Sequence, residues 1–183
     1  FDWGFNPKLP KKNILDLLAL KFVKLGEDAL FIGSPGTGKS HIAQALAHKA
    51  ITTTNYKTLY KESHILFGEL YEARQLGRRK KAYKPIIDAD LLIIDDLFLR
   101  KRVPPEAADD FQEIIMDRYS AKRSTIITSN RIIEDWGKCL GDNSVASAVL
   151  DRLLHRKHLL KFEGKSYRLK EASLRLVNQK KEV

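Results

Sequence analysis

Residues 33–40 read Gly-Ser-Pro-Gly-Thr-Gly-Lys-Ser and match the phosphate-binding pattern G-x-x-x-x-G-K-S. The apolar run Ala29 to Ile32 precedes them, and a helical pattern of apolar residues begins at Ile42. Glycines let successive backbone N–H groups point at phosphate oxygens, and the following helix presents its positive end to the same anion. A glycine-rich turn that matches by chance is the alternative, but it explains neither flanking pattern. The stretch therefore predicts a nucleoside triphosphate site.

The candidate nucleotide-binding residues form one uninterrupted segment. They are Gly33, Ser34, Pro35, Gly36, Thr37, Gly38, Lys39, Ser40 and His41. We expect Lys39 to reach the β- and γ-phosphates and the Ser40 hydroxyl to ligate Mg²⁺. ATP and Mg²⁺ are the expected cofactors.

The length and composition favour one domain. A chain of 183 residues is long enough for one well-buried core and too short for two large ones. Because it starts at Phe1 rather than at methionine, residues 1–183 are interpreted as a single-domain fragment that lacks an N-terminal region. No apolar stretch approaches the length that crosses a bilayer, and no secretory-type leader is present. The bacterial cytoplasm is the expected location.

Cysteine, histidine and charge narrow the chemistry further. The single cysteine, Cys139, excludes an internal disulfide, and the five histidines have no metal-ligand spacing. Mg²⁺ held by nucleotide and carboxylate is then the only metal expected. Lys and Arg outnumber Asp and Glu by 33 to 23, and their excess is clustered. This distribution favours a polyanionic partner.

Alternating strand and helix patterns indicate an α/β sheet. Strands are predicted at 29–32, 57–60, 91–94 and 124–129, and helices at 13–24, from the loop to 52, at 63–75, 105–119 and 145–156. Segments 158–162 and 166–169 are predicted to pair as a hairpin across Glu163-Gly164-Lys165. The alternation implies a mostly parallel sheet with helices on both sides.

Two carboxylates, Asp95 and Asp96, follow the apolar run 91–94. Open parallel sheets bind ligands at the carboxyl ends of their strands. Asp95 is the candidate metal anchor, acting through water, and Asp96 is the candidate that orients and polarises the attacking water. A solvated turn is the alternative, since Asp is common where strands end.

Asn130 follows the strand predicted at 124–129. If this strand lies between the strands of Gly33 and Asp95, the Asn130 amide can touch both the γ-phosphate and the attacking water. An ordinary turn residue is the alternative. Asn130 is therefore a candidate catalytic residue alongside Asp96.

Several segments together resemble the IstB helper ATPases of bacterial insertion sequences. They are residues 33–40, 91–96, 124–130, Leu-Asp-Arg-Leu-Leu-His at 150–155 and Gly-Lys-Ser-Tyr-Arg-Leu at 164–169. The resemblance extends from Phe1 to about Leu169, and the last two segments are much more specific than the phosphate loop. The wider group is the AAA+ ATPases of the initiator and helicase-loader clade, which includes DnaC.

The resemblance implies a three-layer αβα P-loop NTPase with a five-stranded sheet of order 5-1-4-3-2 and no C-terminal lid domain. It also implies a homo-oligomeric ring or spiral on double-stranded DNA, with ATP at the subunit interfaces. An arginine from the neighbouring subunit completes such sites. Arg152 is the catalytic candidate and Arg156 the fallback, with an ordinary surface cation as the alternative. Residues 5–7 are expected near the adenine.

Two positions depart from the family pattern. Asp96 stands where many AAA+ proteins have Glu, so the water-activating geometry stays open. Phe98 stands where members of this group often have glycine, so the conformation of the following loop stays open too. No lid arginine is assigned, because the chain ends without the helical lid of larger AAA+ proteins.

A basic run without any acid spans residues 74–84. Its candidate DNA-binding residues are Arg78, Arg79, Lys80, Lys81 and Lys84. By resemblance the run lines a central channel, and a solvated charged face is the alternative. Nothing in it indicates base-specific readout, so DNA binding is expected to be sequence-tolerant and salt-sensitive.

The expected function is ATP-dependent help in transposition, with assembly on DNA, engagement of a transposase and ATP hydrolysis. The nearest alternative is a helicase loader, which would engage a replicative helicase instead. A P-loop small-molecule kinase is less favoured, because the chain has no clear acceptor signature. A structural module without hydrolysis is the remaining alternative.

Overall fold

The computed structural model describes residues 1–99, 104–155 and 157–179. Within them, five strands form one sheet: β1 Asp28–Gly33, β2 Thr58–Glu62, β3 Leu91–Leu97, β4 Ser124–Ser129 and β5 Lys157–Phe162. The strand order is β2-β3-β4-β1-β5, and every neighbouring pair is parallel. This is the expected order 5-1-4-3-2 counted from the other edge. The β4 strand lies between β1 and β3, as the proposed role of Asn130 requires.

Helices cover both faces of the sheet. They are α1 Lys11–Leu17, α2 Lys21–Leu25, α3 Lys39–Thr53, α4 Ser63–Gln75, α5 Arg79–Asp88, α6 Pro105–Ser120, α7 Trp136–Leu140, α8 Asn143–His155 and α9 Tyr167–Gln179. The single helix predicted over 13–24 is wrong, because Leu20 adopts a left-handed φ of 56° between α1 and α2. Among the described helices, none combines the length and the apolarity that crossing a membrane requires.

Side-chain alternation along the central strands divides the core into two layers. In β3, Leu92 and Ile94 pack in the layer of α4 to α8, whereas Leu91 and Ile93 pack in the layer of α1 to α3. All four side chains are fully buried. The strand is a continuous apolar run because both of its faces are covered. Asp95 continues the alternation on the α3 side.

The hairpin predicted between 158–162 and 166–169 is wrong. The β5 strand pairs in parallel with β1, and the second segment opens α9 instead. The Asn6 side chain holds the backbone of Lys165 through two hydrogen bonds of 2.9 Å, one to its carbonyl and one from its N–H. The Tyr167 N–H then donates to the Gly36 carbonyl at 2.9 Å. These bonds turn the chain toward the phosphate loop rather than back along β5.

The end of β3 is irregular, and Phe98 explains how it tolerates this. The register with β4 shifts between Ile94 and Leu97, and Phe98 has a φ of 62°, a region that glycine favours. The Phe98 side chain is only 2% exposed, and its ring centroid lies 5.2 Å from that of Trp136. Burial of this ring offsets a backbone strain of about 1–3 kcal/mol. The loop thus keeps a glycine-like backbone without glycine.

Replacing Phe98 with alanine or with glycine separates packing from strain. Both changes remove the ring, so Phe98→Ala should lower the free energy of unfolding by about 3 kcal/mol. Glycine relieves the left-handed backbone, so Phe98→Gly should be about 1 kcal/mol more stable than Phe98→Ala in urea unfolding. At Phe111, which is helical and fully buried, the same pair should show the usual order, with alanine more stable. Alanine being the more stable variant at position 98 as well would refute the strain.

Candidate nucleotide-binding site

A cleft of about 650 Å³ opens at the carboxyl ends of the central strands. Its walls come from residues 35–38 of the loop, residues 39–41 and Gln44 of α3, Asp96 near the end of β3 and Leu99 just after it, Asn130 after β4, and Phe1, Asp2, Asn6, Tyr167 and Arg168 from near the two ends of the described chain. The volume is in the range of small-molecule sites. The loop, Asp96 as the second of the two carboxylates, and the Asn130 amide therefore meet at one cavity, together with Asn6 of the segment expected near adenine.

The phosphate loop is braced by its own polar groups. The Lys39 ammonium donates to the carbonyls of Gly33 and Ser34, both at 2.8 Å, and the Thr37 hydroxyl donates to the Ser34 carbonyl at 2.7 Å. Gly36 has a φ of 74°, and a Cβ there would lie 2.1 Å from the Ser166 hydroxyl oxygen. The loop needs glycine at this position both for its backbone conformation and for the approach of α9.

Lys39 carries the charge most closely tied to the loop. Burial lowers its pKa to about 8, while Asp96 and Asp95 act in the opposite direction. A bound polyphosphate would add negative charge and favour the protonated form. Lys39 is thus a cation whose charge responds to what the cleft contains.

The two carboxylates occupy different environments. Asp95 is only 3% exposed and accepts hydrogen bonds from two hydroxyls, Tyr60 at 2.5 Å to one oxygen and Thr128 to the other. Asp96 lines the cleft, and its backbone N–H donates to the Thr128 hydroxyl at 2.9 Å. Burial and the neighbouring Asp95 raise the pKa of Asp96. Asp95 is therefore fixed behind the wall, whereas Asp96 faces the space where a ligand would lie.

Asn130 lines the cleft and has an unsatisfied side-chain oxygen. Its Oδ1 is buried and has no hydrogen-bond partner among the described residues. Leaving such a group unpaired costs about 1–3 kcal/mol. The preceding residue is anchored, since the Ser129 hydroxyl donates to the Leu97 carbonyl at 2.7 Å. Asn130 thus follows an anchored residue and lines the cleft with one amide oxygen whose hydrogen-bonding capacity is unused.

The donor set suits Mg²⁺ but does not form a complete protein cage. Ser40 offers a hydroxyl, and Asp95 and Asp96 offer carboxylates, which are the hard oxygen ligands that Mg²⁺ prefers. In the part of the chain that the structure describes, no group of three or more His, Cys, Asp or Glu side chains is arranged to hold a metal. Mg²⁺ usually keeps several waters and binds through one or two protein ligands plus phosphates. The residues present fit that mode.

Comparison with known proteins decides the family. Residues 1–175 match the family model for the IstB-like ATP binding protein. The chain belongs to this family of ATP-binding proteins. It is 36% identical over 180 residues to the ATP-binding protein of insertion sequence IS5376 from Geobacillus stearothermophilus, covering 98% of this chain and 70% of that protein. Identity to the IS21 ATP-binding protein of Pseudomonas aeruginosa is also 36%, over 93% of this chain and 63% of that protein.

Solved structures show the same fold. The DnaC helicase loader superposes with a TM-score of 0.70 at 24% identity, over 83% of this chain and 89% of that one. The replication initiator DnaA bound to AMPPCP and single-stranded DNA gives 0.71 at 20% identity, over 91% of this chain and 50% of that one. The expected AAA+ P-loop fold is confirmed. The IstB-like chain spans about two thirds of the length of its insertion-sequence relatives.

Arg168 lies at the site although the sequence pattern gives it no role there. It stands in the first turn of α9 and lines the cleft. Its charge helps to lower the pKa of Lys39 and opposes the rise at Asp96, so it acts on both groups electrostatically. Residues 164–169 contribute to the family resemblance. The hairpin predicted there, however, gives Arg168 no role at the cleft. The first turn of α9 thus brings an arginine to the cleft.

Arg152 lies on α8 and is not among the residues lining its own cleft. Its guanidinium donates to the Ala148 carbonyl at 3.3 Å and to the Asp151 carboxylate at 3.2 Å. These are contacts within one helix, and about a third of the side chain stays exposed. The geometry leaves it available to another subunit. Arg156, the fallback, lies outside the described residues.

The basic run splits into two sets. Arg79 pairs with the buried Asp110 at 2.6 Å and with Glu113 at 2.5 Å, and Arg74 pairs with the same Asp110 at 2.7 Å. These ion pairs join α4 and α5 to α6. The remaining members are exposed: Arg78, Lys80, Lys81 and Lys84, the last within 2.6 Å of Asp88.

The lowered pKa of Lys39 predicts how ATP affinity depends on pH. With a pKa of about 8 before nucleotide binds, Lys39 loses its charge as the pH rises, and binding must then take up a proton. Affinity for a fluorescent ATP analogue at fixed free Mg²⁺ should fall about fivefold from pH 8 to pH 9. Lys39→Ala should bind more weakly and lack this slope. Constant affinity of the parent protein up to pH 9.5 would contradict the assignment.

Proposed function

We propose that this chain is one ATPase domain of a transposition helper that hydrolyses ATP, assembles on double-stranded DNA and engages a transposase. The observation that carries the proposal is the meeting of Lys39, Asp96 and Asn130 at one cleft, with Asp95 fixed directly behind them. Membership of an ATP-binding family found in insertion sequences supports the link to transposition.

Each residue has a chemical role in this proposal. Lys39 binds the β- and γ-phosphates, and Arg168 adds a second positive charge from the same subunit. Asp96 orients the attacking water and accepts its proton, and its raised pKa brings it nearer to neutral, where a general base works best. The Asn130 Oδ1 accepts a hydrogen bond from the same water. Ser40 and Asp95 would hold Mg²⁺, which supplies charge neutralisation on the phosphates when bound.

Assembly supplies what one subunit lacks. Arg152 is not among the described residues that line its own cleft, so in the proposed ring or spiral it stabilises the transferring phosphoryl group of the neighbour. Hydrolysis then depends on contact between subunits, and DNA that gathers subunits should raise the rate. The direct test measures phosphate release by the purified protein with and without duplex DNA, and ATP-dependent retention of the transposase. Release no greater than that of Lys39→Ala under both conditions would refute the proposal, and transfer to a small acceptor would indicate a kinase.

Two variants separate binding from hydrolysis. Asp96→Asn should keep ATP affinity but lower turnover by at least about 100-fold, because a carboxamide cannot accept the proton. Arg152→Ala should have a similar defect, and mixing it with Lys39→Ala should restore part of the rate through hybrid interfaces. Arg123→Ala, at the opposite end of the sheet beside Asp90, serves as the matched control with parental turnover. Absence of rescue at every mixing ratio would exclude action of Arg152 across subunits.

The exposed set on α5 should contribute to DNA binding through charge alone. Replacing Arg78, Lys80 and Lys81 together with alanine should lower the slope of log affinity against log salt by about 2–3, because each phosphate contact releases counterions. Loss of affinity should be similar for unrelated duplex sequences. The control replaces Lys8, Lys12 and Lys24, which are equally exposed, and should leave the slope unchanged. Equal slopes for both triple variants would place the DNA elsewhere.

A further inference from the structure

A short hydrogen-bond network, formed by the side chains of Gln44 and Tyr60, reaches Asp95 from the edge strand β2 and from α3. Tyr60 on β2 stands opposite Ile93 of β3 in the parallel register, two residues before Asp95. Residues two apart share a face of a strand, so Tyr60 and Asp95 both project toward α3. Gln44 lies on that helix one turn after Ser40, on the same side. No motif of the sequence points to Tyr60 or Gln44.

In this hydrogen-bond network, each side chain donates toward the Asp95 carboxylate. The Gln44 Nε2 donates to the Tyr60 hydroxyl at 3.1 Å, and the Tyr60 hydroxyl donates to the Asp95 Oδ2 at 2.5 Å. Thr128 donates to the other oxygen. Each Asp95 oxygen therefore has one protein donor and keeps acceptor capacity for another. A carboxylate held from two sides has a fixed orientation, which a single hydrogen bond does not provide.

We propose that Tyr60 is a positioning residue of the magnesium site, holding the Asp95 carboxylate in the orientation that accepts from metal-bound water. Gln44 links that orientation to the helix that carries Ser40, so the two candidate ligands keep a fixed relation. The inference rests on the proposed ATPase only in requiring that the nucleotide binds with Mg²⁺. Partners that orient a metal ligand commonly affect metal affinity while leaving the rest of the site intact.

Tyr60→Phe isolates the hydroxyl, because the ring that packs beside the α3 core remains. Affinity for a fluorescent ADP analogue is measured in EDTA and across a series of free Mg²⁺ concentrations. The variant should match the parent within about twofold in EDTA, yet need about tenfold more free Mg²⁺ for half of the metal-dependent gain in affinity. Tyr56→Phe is the matched control: this residue is also partly buried beside the same core, and its hydroxyl takes no part in the hydrogen-bond network of Gln44 and Tyr60. It should behave as the parent does.

Gln44→Leu gives an independent test, since Gln44 is exposed and its replacement should not prevent folding. Its Mg²⁺ midpoint should move in the same direction by a smaller factor, and the double variant should be no worse than Tyr60→Phe alone. An unchanged midpoint in Tyr60→Phe would overturn the inference, as would an equal loss of affinity in EDTA and in Mg²⁺. If the parent itself gains no affinity from Mg²⁺, the proposed function and this inference both fail. A normal parent with an unaffected variant would reject the inference alone.

Discussion

The parallel pairing of β4 between β3 and β1 is the constraint on which the site depends. The carboxyl ends of parallel neighbours lie at the same end of a sheet. This pairing therefore brings the phosphate loop, the two carboxylates and Asn130 to one side of the molecule. Crossover helices cover both faces and keep the strands buried. If the central strand were antiparallel to its neighbours, one of these three groups would lie at the opposite end of the sheet.

Buried hydroxyl groups of β4 allow this end of the sheet to hold a charged carboxylate. Along β4, two isoleucines stand between a Ser-Thr pair and a Thr-Ser pair, and all six residues are buried. Thr128 serves two neighbours at once, donating to the Asp95 carboxylate and accepting from the Asp96 N–H. A buried carboxylate without such partners would cost several kcal/mol or become protonated. Thr128, a buried polar residue of β4, thus helps to keep Asp95 in place.

The sequence predicted the parts of the fold that follow from local patterns. The phosphate loop, the apolar run before Asp95 and the β-branched strand before Asn130 each carry their own signal, and the family resemblance supplied the strand order. The break at Leu20 was missed because apolar periodicity continues through it, and the hairpin was wrong because β-branched or aromatic residues after a glycine also occur at a helix start. These choices are settled by long-range contacts such as the Asn6 bonds to Lys165.

The contacts that a short stretch of sequence does not reveal are those between residues far apart in the chain. Tyr60 meets Asp95 across 35 positions, and Arg79 is paired with Asp110 on another helix, so neither role is visible in a local window. Residue type misleads in both cases, since a tyrosine in a strand normally indicates packing and an arginine in a basic run normally indicates solvent. Arg168 escaped for the same reason, because only the turn made by α9 brings it to the cleft.

In the proposed site, the phosphate loop, the end of β3 and Asn130 surround one metal-bound triphosphate. Paramagnetic broadening of backbone amide NMR signals by Mn²⁺ with a non-hydrolysable ATP analogue tests it most directly. The signals of Gly38, Asp96 and Asn130 should be lost together, while the signal of Ile51 at the far end of α3 stays sharp. Broadening confined to the loop, with Asp96 and Asn130 unaffected, would contradict it.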